Sequence, residues 1–311
     1  MFENYRNRDL NFKNISFDEN KIKKFSNSLE EKNVTLPTWE EEVFLLNGDE
    51  RDLDFLFLIN TINFSYWPDK NKQKWQINFR DKKYSGSFGL FGALKRGIEN
   101  NYPLFDNKYL SQISEKDLKN ILEDDIEIPM FDERLNILRD IGRNFIDNNI
   151  ESFSQLLKES NNSCVTLIEK IISIFPSFRD IFYFNDEKFH ILKRAQLICA
   201  MIHGRNRNIF YDIDKITVFS DYRIPQTLRK LGLIKYNLDL SEKISKQTYL
   251  DQGSIEELEI RLSAIFCSEK IKETFLNKKY NSLYIDYFLW KDGQEIKEPD
   301  FDFHRTRSIY Y

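Results

Sequence analysis

Two aspartates of this chain stand in aromatic, otherwise apolar surroundings. Asp221 lies in residues 219–226, Phe-Ser-Asp-Tyr-Arg-Ile-Pro-Gln, and Asp286 in residues 283–290, Leu-Tyr-Ile-Asp-Tyr-Phe-Leu-Trp. Whether residues 283–290 run as helix or strand, Asp286 has little access to water, and a buried carboxylate must find a partner or give up its charge. Lys193, Arg194 and Arg223 are the candidate partners. Each aspartate alone has a plain reading: Asp221 as the N-cap of a helix opened by Pro225, and Asp286 as half of a structural ion pair. Together they suit another task, which is to stack a planar base, bond its edge and stabilise positive charge on a sugar. That is the chemistry of an N-glycosidase. His190, His203 and His304 form no HExxH-type pattern, and no serine or cysteine sits in a nucleophile motif, which disfavours zinc-type and triad-type hydrolases.

The frame for these residues is predicted to be mainly α. Phe (27) and Tyr (15) far outnumber Gly (10) and Pro (7), which favours long helices over a turn-rich β fold. Helical spacing runs through residues 17–31, 51–67, 131–148, 163–175, 188–203 and 254–276, with Pro68 stopping the second. Residues 216–219 read as an extended segment entering the core, followed by a helix carrying 227–233. Ser254 and Glu257 form a capping-box pattern, and Glu257 and Arg261 have the spacing of a helical ion pair. One small hairpin is expected, with residues 75–79 alternating before the charged turn 80–83, and little other β structure. The glycines of residues 85–94 lack the preceding strand and the lysine of a phosphate loop, so close helix packing is their expected use. No linker, repeat or low-complexity tract divides the chain, and a single compact domain over residues 1–311 is expected.

A net charge of −4 gives no general attraction to a polyanion, so no direct nucleic-acid binding is expected, while a small anionic ligand is compatible. Cys164, Cys199 and Cys267 have no metal-ligand spacing and are expected to be buried thiols in a reducing compartment. The first residues lack a secretory pattern, and charged residues interrupt every apolar run before it reaches spanning length, so a cytosolic protein without a membrane segment is expected.

The ordered series of motifs resembles the queuosine salvage protein family. Its blocks are residues 63–69 (Asn-Phe-Ser-Tyr-Trp-Pro-Asp), 84–86, 130–134 (Met-Phe-Asp-Glu-Arg), 175–180 (Phe-Pro-Ser-Phe-Arg-Asp), 193–196 (Lys-Arg-Ala-Gln), 219–226, 253–261, 285–290 and 304–311. The resemblance implies a mainly helical fold related to helix-hairpin-helix DNA glycosylases, and hydrolysis of queuosine 5′-phosphate to queuine and ribose 5-phosphate, with no metal or organic cofactor. It implies that Asp286 is the catalytic carboxylate, that Phe219, Ser220 and Asp221 form the base-binding segment, and that Tyr287 lies beside the catalytic carboxylate. A 5′-phosphate needs cations, which Lys193, Arg194, Arg223, Arg305 or Arg307 could supply, Lys193 foremost because its neighbours look buried. Lys291 follows Trp290 where the family pattern is acidic, and no histidine precedes residues 63–69. The alternatives are therefore a glycosylase for another deazapurine nucleotide or a nucleic-acid base, and a nucleotide-binding protein without catalysis.

Overall fold

The computed structural model describes residues 1–5, 10–32, 34–206, 209–277, 280–296 and 302–311. The chain divides into two compact units, one of Met1–Pro37, Asp180–Gln196 and Asp212–Tyr311, the other of Thr38–Arg179 and Leu197–Tyr211. The fold is mainly helical, as the composition implies. No helix among the described residues is long and apolar enough to cross a membrane.

In the unit that carries both aspartates, the helix Ile255–Thr274 is buried along most of its length. The helices Glu19–Glu31, Arg223–Lys230 and Ser282–Gln294 pack against it. Its start is fastened as the sequence indicates, because the Ser254 hydroxyl accepts from the Glu257 N–H at 3.3 Å. The Glu257 carboxylate reaches back one residue further than a capping box requires, to the N–H of Gly253 at 2.9 Å.

The second unit is built around Phe57, whose ring stacks on Phe153 at 4.7 Å and lies close to Phe145, Phe175 and Phe178. Its hairpin pairs Gln76–Phe79 with Lys82–Ser85, and Arg80 makes the turn at positive φ, so Lys82 and Lys83 belong to the strand. The helix Gly86–Glu99 presses on this hairpin. A Cβ at Gly89 would come within 2.9 Å of the Trp75 ring, and one at Gly92 within 3.3 Å of Phe79, so these two serve close packing, whereas Gly86, at φ 62° directly after the strand, has open space around it. All three cysteines are buried thiols.

The local reading departs from the structure in several places. Among the described residues there are two further antiparallel pairs, Ile15–Phe17 with Ile234–Tyr236 and Ile181–Phe184 with Glu187–His190. The first joins three-residue strands from distant parts of the chain, for which no local pattern exists. The second turns on Asn185 and Asp186, both at positive φ, a two-residue turn that Asn and Asp favour and that the sequence therefore did signal. As a result the expected helix over 188–203 begins only at Lys193, after Leu192 at φ 48°. Residue 17 is likewise in a strand, with Asp18 as N-cap of the helix that follows. The expected helix over 51–67 stops at Thr61. Beyond it the buried guanidinium of Arg134 donates to the carbonyls of Ile62, Phe64 and Ser65, oxygens that a continuing helix would have used. The helix expected to carry 227–233 spans Arg223–Lys230, with Pro225 in its first turn, where no backbone N–H is needed.

Candidate active site

Asp286 projects from the helix Ser282–Gln294, whose start is capped by the Asn281 side chain accepting from the Leu283 N–H at 3.0 Å. Leu283, Ile285 and Leu289 sink the same helix into the core, and Asp286 is carried in with them, to 7% exposure. Its Oδ1 accepts a hydrogen bond from the backbone N–H of Phe219 at 2.7 Å, across 67 residues of sequence. Burial pushes the Asp286 carboxyl up to about 8 from its ordinary 3.8; the Phe219 N–H restrains that rise, the charge of Asp221 adds to it, and Lys193 opposes it.

Residues 216–219 are buried, as expected, and Ile216 is extended, but the Ser220 N–H donates to the Val218 carbonyl at 3.1 Å, so the chain turns at Phe219, the residue that meets Asp286. Ser220 is fully buried and its hydroxyl donates to the Arg261 carbonyl at 2.9 Å. Asp221 does act as a helix cap: its Oδ1 accepts from the N–H groups of Arg223 at 2.7 Å and Ile224 at 3.2 Å. The charge of Asp221 also acts on both Asp286 and Lys193, so the capping and site readings are compatible. Lys193 opens the helix Lys193–Arg205 and is 6% exposed. Burial pushes its ammonium down to about 8, Arg194 and Arg261 push the same way, and Asp221 and Asp286 oppose them.

The structure therefore brings together Asp286, Phe219, Asp221 and Lys193, with Ser220 directly behind them. Tyr287, half-buried on the next position of the Asp286 helix, stacks on Trp290 with ring centres 6.2 Å apart. Arg223 is placed differently. Its guanidinium donates to Gln226 Oε1 at 2.9 Å and lies over the rings of Tyr222 and Phe303.

The spacing of Glu257 and Arg261 predicts a helical ion pair. In the structure Arg261 grips Asp180 with both terminal nitrogens, at 2.9 and 2.6 Å, and Glu257 lies 3.6 Å from it. Lys193 offers Asp180 its backbone N–H at 3.4 Å. The three side chains of the Arg261 cluster are essentially sealed from solvent. Removing one member of such a cluster costs about 3–5 kcal/mol, because the others are left buried and uncompensated. The available signal was an arginine inside an apolar helix four residues after a glutamate, a pattern that local spacing alone assigns to the surface as readily as to the core.

A carboxylate held by a main-chain amide, shielded from water and flanked by a second carboxylate and a lysine, can stabilise a cation that develops beside it. Fold and site define a mainly helical protein whose candidate active site holds a buried, hydrogen-bonded carboxylate. The family model described as queuosine salvage protein matches residues 44–311. The chain is 30% identical to the queuosine 5′-phosphate N-glycosylase/hydrolase of Sphaerobacter thermophilus, over 96% of its own length and 93% of that protein's. It is 33% identical to the protein of the same name from Bos taurus, covering 85% and 82% of the two chains, and 31% identical to that of Schizosaccharomyces pombe, covering 85% and 84%. The chain belongs to the queuosine salvage protein family.

Proposed function

We propose that this protein hydrolyses the N-glycosidic bond of queuosine 5′-phosphate, releasing queuine and ribose 5-phosphate. The observation that carries the reading is Asp286, buried, raised in proton affinity and fixed by the Phe219 N–H beside Asp221. As the C–N bond breaks, its electron pair leaves with the base and positive charge grows on the ribose. The ionised Asp286 stabilises that charge, or captures the sugar before water does. Water supplies a hydroxyl to the anomeric carbon and a proton to the departing base. Asp221, capping with Oδ1, accepts N–H groups of the base edge, while Phe219, Ser220 and Tyr287 shape the base site. Lys193 foremost, with Arg223 beside Gln226 as a further cation, is assigned to the 5′-phosphate.

We further propose that the two compact units work as one cytosolic domain, related in fold to helix-hairpin-helix DNA glycosylases, that acts on a small nucleotide without binding nucleic acid. Its net charge of −4 supports the last point, since polymer binding leans on many phosphate contacts.

The test is chromatographic detection of free queuine after incubation with queuosine 5′-phosphate, with queuosine and GMP in parallel. Release from the phosphorylated substrate is expected. Binding of that substrate without release would replace the hydrolase reading with binding alone. Asp221→Asn separates the two duties of that residue. Asn caps a helix as well as Asp does, so the cap itself should survive the change. Loss of the charged acceptor should raise KM about tenfold or more. Steady-state kinetics and thermal unfolding of the variant check this; an unchanged KM would leave Asp221 as a cap alone.

A further inference from the structure

Arg261 lies where the two chain segments that build the site are tied together. Its Nε donates to the Ser220 carbonyl at 3.3 Å, and the Ser220 hydroxyl donates back to the Arg261 carbonyl at 2.9 Å. Ser220 is thus held from both sides, and the residue before it, Phe219, supplies the N–H that holds Asp286. The terminal nitrogens of Arg261 grip Asp180. The Asp180 carbonyl in turn accepts the N–H groups of Ile191 at 3.0 Å and Leu192 at 3.3 Å, and its carboxylate receives the N–H of Lys193. These bonds fix the left-handed turn at Leu192 from which Lys193 is launched. Around the guanidinium, Glu257 lies 3.6 Å away and the Tyr311 ring 4.6 Å away, and the Tyr311 hydroxyl donates to Glu257. Three nitrogens of one planar group thus serve the Ser220 carbonyl and the Asp180 carboxylate at once, a geometry that a lysine cannot reproduce.

We propose that Arg261 is a positioning residue: through Ser220 and Asp180 it sets the Phe219 N–H against Asp286 and sets Lys193 beside it, without touching substrate. This rests on the hydrolase reading for its consequence in turnover, but not for its consequence at Asp286 itself. The charges acting on Asp286 are Asp221 and Lys193, and Phe219 supplies the hydrogen bond that holds its proton affinity down. Loosening Phe219 therefore raises the Asp286 titration midpoint.

Arg261→Lys keeps the charge and loses the fork. It is expected to lower kcat about 10²-fold, as misplacement by about an ångström does, with KM within about twofold of wild type. The carboxyl midpoint of Asp286, followed by carbon-13 NMR and assigned by its absence in Asp286→Asn, is expected to rise by about half a unit or more. Ser220→Ala removes one tie and leaves every charge in place; it should shift both quantities the same way by a smaller amount, about tenfold in kcat, and it serves if Arg261→Lys does not fold. Folded variants with reduced Tm but wild-type kcat and an unmoved Asp286 midpoint would overturn the proposal and leave Arg261 as part of a buried ion pair. If the wild-type protein releases no base, the hydrolase reading fails, and the NMR midpoints still decide the role of Arg261.

Discussion

Asp286→Asn is expected to lower kcat about 10²–10³-fold, equivalent to roughly 3–4 kcal/mol for one preorganised electrostatic contact, and at the same time to make the fold more stable. The amide retains an oxygen in the place where Oδ1 accepts from the Phe219 N–H, so the local hydrogen bond survives. What disappears is the charge. In the folded protein the Asp286 carboxyl is raised to about 8, whereas in the unfolded chain it ionises near its ordinary 3.8. Between those values the folded state holds a proton that the unfolded state has released, so wild-type stability falls as pH rises, by up to about 1.4 kcal/mol per unit. Below about pH 4 both states are protonated and the effect vanishes. The variant has no carboxyl to ionise, and its advantage in Tm should grow from pH 5 to pH 8. Thermal unfolding of both proteins at the two pH values measures this, and a difference independent of pH would mean that Asp286 is not perturbed by burial. A gain in stability together with a loss of turnover is what distinguishes a functional carboxylate from half of a structural ion pair, whose removal only destabilises.

The second large effect is on the pH dependence of the wild-type enzyme. If ionised Asp286 is the reactive form, kcat/KM for queuosine 5′-phosphate should climb about tenfold per unit well below pH 8, levelling as both Asp286 and Lys193 reach their midpoints, for a net rise of about 25-fold from pH 6 to pH 8. Substrate phosphate, with its second ionisation centred near pH 6, is largely dianionic from about pH 7 upward. Above about pH 8 the profile should fall again, because burial brings the Lys193 ammonium down to about 8 and the grip on phosphate weakens as it loses its proton. Lys193→Arg, which keeps its charge at every accessible pH, should move the alkaline limb upward and leave the acid limb in place. A flat profile between pH 6 and pH 8 would remove Asp286 from the rate-determining ionisation. An alkaline limb unmoved in Lys193→Arg would remove Lys193 from phosphate binding.

Much of this arrangement is legible in the residues. The helices Phe131–Asp147, Cys164–Ile174 and Ile255–Thr274 follow from apolar spacing, and Ser163 and Ser254 mark the starts of the last two. Asp221 and Asp286 stand out because an acidic residue in aromatic company must be either paired or functional. The ordered motifs identify the family, whose model matches residues 44–311. Where local pattern misleads, a distant group has intervened. Residues 62–67 continue an apolar helical pattern, yet Arg134 takes up their carbonyls and the helix ends. Strand Ile15–Phe17 exists only because Ile234–Tyr236 lies alongside it.

The sequence by itself determined which carboxylates to watch, a mainly helical frame and membership of the family, because residue type, helical periodicity and motif order are local properties. The tertiary structure alone decided that the Phe219 N–H holds Asp286, that Asp221 and Lys193 act on the same carboxyl, and that Arg261 binds Asp180 and Ser220 together. Hydrogen bonds across tens of residues and the desolvation that moves a proton affinity arise only when distant segments pack and exclude water, and no local pattern encodes them.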